Sequence, residues 1–139
     1  MTRILARALI AAALPASAVA ADCEPVAALS SPSAEAAARD LLAPDEATCL
    51  TAREASGEAF VCFTAHPFRA EAARAAYDAL AARIAACLPG GAVADAAVNH
   101  PDSYDALAWE APGARISLSL KDKGGEGRTL IFLRVAPTP

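Results

Sequence analysis

The sequence predicts an α+β fold: a two-layer sandwich in which a mostly antiparallel sheet of about five strands is covered by one long helix. Two blocks of period-two alternation, a hairpin over 48–64 and a meander over 105–135, flank a single unbroken helical period over 67–88. The third observation is four cysteines with no C-x-x-C among them, a disulfide framework for a small domain. Apolar residues make up 55% of the 139, but 40 residues are alanine and aromatics are only 5%. Little area is buried per residue in such a core, and crosslinks compensate.

The first element is a leader. Arg3 and Arg7 precede the apolar run Ala8–Leu14, Pro15 breaks it, and Ala18-Val19-Ala20 supplies an A-x-A cleavage site. The run is about half of the ~20 residues a membrane-spanning helix needs. Residues 1–20 therefore read as a Sec-type signal peptide, which makes the protein periplasmic or secreted and leaves no membrane anchor after removal. Asp22 stands before Cys23, where a lipoprotein needs a small neutral residue. The remaining 119 residues carry 10 bases against 16 acids, with no run of Lys/Arg. That composition argues against a nucleic-acid partner.

Residues 21–32 contain Pro and Ser without periodicity and read as a flexible arm. Ser33 caps a short helix over 34–42, with Glu35 in its first turn and Pro44 ending it. Strand-like Thr48–Arg53 and Glu58–Thr64 flank a four-residue loop, Glu54–Gly57. One register sets Arg53 opposite Glu58, Thr51 opposite Phe60 and Cys49 opposite Cys62. His66-Pro67 ends the second strand, and Pro67 suits the first position of a helix reaching Leu88 before Pro89-Gly90-Gly91. Ala73, Ala76, Tyr77, Leu80, Ile84 and Cys87 share one face of that helix, opposite Glu71, Arg74 and Asp78.

Residues 91–103 are polar and interrupted, with room for a short edge strand within 92–98. The meander then pairs Glu110 with Arg115, Trp109 with Ile116 and Leu107 with Leu118 around the turn Ala111–Ala114. Its large side chains fall on one face and Ser117 and Ser119 on the other. A glycine-containing loop leads to a last strand, Arg128–Val135, placed centrally because it is apolar on both sides. Residues 136–139 read as a tail outside the sheet, leaving one domain over 33–135.

Directly opposed Cys49 and Cys62 are within disulfide reach. Along a helix advancing ~1.5 Å per residue, Cys87 is carried about 30 Å from Pro67, far from both. Cys23 is its remaining partner, so the expected bridges are Cys49–Cys62 and Cys23–Cys87.

The densest polar stretch is Asn99-His100-Pro101-Asp102-Ser103-Tyr104-Asp105. It reads as a structured turn, and its contact candidates are Asn99, His100, Asp102, Ser103, Tyr104 and Asp105. No nucleophile-elbow motif surrounds Ser103. His66 and His100, each before a proline, are the only histidines; with Asp102 or Asp105 they could make a three-ligand metal site, but their separation argues for unrelated loops. Lys121 and Lys123 border a glycine-rich hairpin tip that lacks phosphate-loop spacing. These observations point to a small exported, non-enzymatic binding or accessory domain with no cofactor, an inhibitor or subunit of an envelope protein or the binder of a small ligand. A small hydrolase or metal-dependent enzyme centred on Asn99–Asp105 is the alternative.

Overall fold

A computed structural model describes residues 22–90, 93–94 and 104–139. The leader over 1–20 lies outside them, as do Asn99, His100, Asp102 and Ser103. In chain order come α1 (Glu24–Ala27), a 3-10 turn (Ala28–Ser30), α2 (Ala34–Leu42), β1 (Thr48–Glu54), β2 (Gly57–Pro67) and α3 (Glu71–Cys87). There follow β3 (Val93–Ala94), β4 (Tyr104–Ala111), β5 (Ala114–Lys123), a 3-10 turn (Gly124–Glu126) and β6 (Arg128–Pro137). The fold is α+β as expected: one sheet ordered β1-β2-β6-β5-β4-β3, every neighbouring pair antiparallel. The two-residue β3 makes a sixth, edge strand.

Both hairpin registers are those read from the sequence, with Cys49 opposite Cys62 and Trp109 opposite Ile116. The turns are tighter. Glu54 pairs with Gly57 and Ala111 with Ala114, leaving two-residue turns. In the second turn Pro112 fixes the first corner and Gly113, at φ 72°, takes the left-handed second one.

Three boundaries differ from expectation. Pro67 does not open α3; it is the last residue of β2, opposite Arg128. The Phe68 amide donates to the Gly127 carbonyl, and Arg69 adopts φ 53°. That reversal delays the helix to Glu71, and a proline without an N–H is harmless at a strand end. The stretch read as a flexible arm folds as α1 and its 3-10 turn, because Val26 and Leu29, apolar at i and i+3, bury completely in the core. The tail residues Ala136 and Pro137 continue β6 opposite Arg115 and Ala114, and the Thr138 amide donates to the Gly113 carbonyl.

Two disulfides close the fold, Cys23–Cys87 and Cys49–Cys62, the expected pairs. The first ties α1 to the end of α3; the second ties edge strand β1 to β2. The core lies between the helices and one face of the sheet. Val26, Leu29, Tyr77, Leu80 and Ile84 pack on Trp109, Ile116, Leu118, Ile131, Leu133 and Val135. Each fully buried aliphatic side chain contributes ~1.5–3 kcal/mol. Ala76, read onto the packed face of α3, is exposed at its margin.

Candidate functional site

Two places in the molecule carry polar or exposed groups that packing alone does not require. The first is the end of the sheet beneath the start of α3. The alternation Ile116, Leu118, Leu120 brings Asp122 onto the covered face, where it is 7% exposed. Thr129, opposite Asp122 and 1% exposed, donates its hydroxyl proton to Asp122 Oδ1 at 2.6 Å. The Arg69 amide donates to Thr129 Oγ1 at 2.8 Å, and Arg69 Nε donates to Asp122 Oδ2 at 3.2 Å. A left-handed arginine backbone is strained by the contact of its Cβ with the peptide, and this network holds it in place. Just beyond, Arg74 Nη1 donates to Asp105 Oδ2 at 2.7 Å and its guanidinium lies over the Tyr77 ring. The bond to Asp105 raises the Arg74 guanidinium above its ordinary value.

A cavity of about 230 Å³ opens between Arg69, Arg74, Leu120, Asp122 and Thr129. Its chemistry is that of a brace. The Thr129 hydroxyl is closed to substrate and already donates its proton, and Asp122 accepts from two groups. His66, half-buried, has Nε2 at 3.3 Å from Thr64 Oγ1 beside a cavity of about 60 Å³ lined by Leu41, Leu42, Leu80 and Ile131. Glu46 lines the same cavity, but among the described residues no carboxylate hydrogen-bonds the ring, as orienting a general base needs. Among the described residues no three His, Cys, Asp or Glu side chains gather to hold a metal ion.

The second place is the sheet face turned away from the helices. Register puts Leu50, Val61, Phe63 and Phe132 side by side on it, across β1, β2 and β6. Leu50 is 58% exposed, and the Phe63 and Phe132 rings meet at 5.6 Å, tilted by 46°. Ala59, Ala108, Leu130 and Ala136 are buried on this side, yet none joins the helix-packed core. Beside the apolar centre stand Arg115, Lys121 and Lys123 on β5 and Arg128 and Arg134 on β6. Glu110 pairs with Arg115 at 2.8 Å, Glu54 with Arg134, and Glu126 with Lys123 at 3.0 Å and with Arg128. The bonds from Lys123 and Arg128 hold the Glu126 carboxyl below its ordinary value. Lys121 has no acidic partner among the described residues.

The residues singled out in the sequence thus divide. Asp105 joins the brace through Arg74, His66 lies near it, and Lys121 and Lys123 belong to the outward face. Tyr104 opens β4 opposite Lys121. Sequence reading misses Arg69, Asp122 and Thr129, although an acid at the next step of a buried alternation is a signal that could find them. It also misses the outward apolar patch, whose members come from three strands.

No protein-family model matches the chain, and no curated protein matches it. Among solved structures it is similar to CalU16 from Micromonospora echinospora, at 22% identity over 68% of this chain and 69% of that one, with a TM-score of 0.34.

Proposed function

We propose that the chain is an exported, non-enzymatic binding domain, an inhibitor or accessory subunit of an envelope protein, and that it docks through the outward face of its sheet. One observation carries the reading. The helices and the core cluster occupy one face, while the other presents exposed Leu50 beside Phe63 and Phe132. Contiguous apolar surface of this kind on a small domain marks a contact site. Two disulfides are compatible with an oxidising compartment and favour export; the leader-like segment 1–20 supports it independently. The brace under α3 belongs to the scaffold that keeps this face rigid.

The test places a photo-crosslinking side chain at Leu50 or Phe132, and at Asp78 on the outer side of α3, in the chain produced with its leader. Leu50 and Phe132 are expected to give a discrete heavier adduct and Asp78 none. Adducts from Asp78 alone, or from no position, overturn the docking face. N-terminal sequencing of the accumulated protein is expected to begin at Ala21 or Asp22; a chain still starting at Met1 overturns export.

A further inference from the structure

We infer that the occupant of the outward face is a folded protein partner presenting an acidic surface with an apolar centre. The inference rests on the docking reading above and adds the partner's chemistry. Its first ground is a segregation of charge. After the leader the sequence holds 10 cations, and five of them, Arg115, Lys121, Lys123, Arg128 and Arg134, project from this one face. Among the described residues three acids, Glu54, Glu110 and Glu126, stand beside them. A protein with formal net charge −4 thus carries a local excess of positive charge next to its exposed apolar patch.

Size decides between kinds of anionic partner. From Arg115 to Lys123 the basic row runs roughly 27 Å at ~3.4 Å per residue. An anionic membrane or a long polyanion extends beyond that row, where it gains nothing further from the five cations. A folded partner can end its acidic patch where the basic one ends, and its apolar centre covers Leu50, Phe63 and Phe132. A second copy of this chain supplies acids on its helical side but no apolar centre: among the described residues the exposed large hydrophobics are Leu50 itself and Phe68.

The probe is a helical peptide with a leucine stripe flanked by glutamates; its control carries lysine at every glutamate position. Both are titrated into the disulfide-bonded, isotope-labelled protein, with amide shifts as the readout. The acidic peptide is expected to shift amides of β2, β5 and β6, more weakly as salt rises, and the lysine peptide to bind at least tenfold more weakly. Lys121→Glu with Lys123→Glu is expected to weaken the acidic peptide about tenfold, while Leu50→Ser weakens both peptides alike. Preserved amide dispersion shows that each variant is folded. Equal binding of the two peptides, shifts confined to the helical side, or tighter response to phosphatidylglycerol vesicles than to the acidic peptide each overturn the inference. If the Leu50 crosslink survives undiminished in the Lys121→Glu, Lys123→Glu protein, the face docks a partner and the charge assignment alone fails.

Discussion

The two faces of this sheet are made by the same strands in the same register, yet they have opposite characters. On one, Cys62, Ile116, Leu118, Ile131 and Leu133 are buried beneath α1, α2 and α3. On the other, Leu50, Val61, Phe63 and Phe132 form an apolar centre that none of the described helices covers, bordered by five cations. Both faces are apolar along β2 and β6, so hydrophobicity by itself does not tell core from contact surface. The difference comes from what neighbours the apolar residues. The covered face of β5 continues leucine after isoleucine to a single acid, while its outward face sets Ser117 and Ser119 between Arg115 and the pair Lys121 and Lys123. A face bordered by charge is poorly sealed by an alanine-rich helix, because taking such ions out of water costs several kcal/mol each even when they are paired.

Matched substitutions on the two faces break or sharpen this contrast. Trp109→Ala and Leu133→Ala, on the covered face, are expected to cost about 3–5 kcal/mol in urea denaturation. Leu50→Ala, the same change as at Leu133 but on the outward face, stays within ~0.5 kcal/mol. Equal losses at Leu133 and Leu50 would erase the distinction. Next come the crosslinks. Cys23→Ser with Cys87→Ser is expected to cost about 2–4 kcal/mol and to exceed the Cys49–Cys62 pair, whose shorter loop constrains the unfolded chain less. A non-reducing tryptic digest should join peptide 40–53 to 54–69, and the peptide ending at Arg39 to 84–115; 54–69 joined to 84–115 refutes the pairing.

A smaller loss is expected from Asp122→Ala, ~1–3 kcal/mol, because it leaves the buried Thr129 hydroxyl without its acceptor. Asp105→Ala, exposed and paired with Arg74, serves as its comparison and stays within ~1 kcal/mol. The smallest effect lies at the outward rim. Because Lys123 and Arg128 lower the Glu126 carboxyl from its ordinary 4.5, the stabilisation it brings is complete above that value and is lost as pH falls through the folded-state one. Thermal melts of Glu126→Gln should therefore differ from those of the parent at neutral pH and converge with them in acid. A difference that persists at low pH would show that the carboxylate's charge is not the cause.

Local alternation makes the hairpins legible in the sequence. Arg53 with Glu58, and Glu110 with Arg115, mark the registers, and opposed Cys49 and Cys62 follow from the first of them. The start of α3 is not legible, because it depends on Thr129, 60 positions from Arg69, holding a left-handed backbone. α1 escapes for a related reason: four residues are too few for a period, and only the contact of Val26 and Leu29 with the core makes them helical. The basic face escapes a search for Lys/Arg runs because alternation scatters its members along two strands, and antiparallel pairing then gathers them. The candidate site is therefore half readable. Asp105, Lys121 and Lys123 stand out in the sequence, but the grouping that gives them meaning is a property of the sheet.

The place of β6 has a bearing on how the protein comes to be folded. The strand Arg128–Pro137 lies between β2 and β5, so until it pairs both the β1–β2 and the β4–β5 hairpins have an unsatisfied edge. Early chain can form the β1–β2 pair and α3, and later chain the β4–β5 pair, but none of these can close the sheet. Closure of the sheet thus depends on β6 pairing with the sequence-distant β2, a slow step of high contact order that exposes open edges in the meantime. Deletion of Arg128–Pro137 is expected to leave two separate hairpins instead of a smaller native sheet.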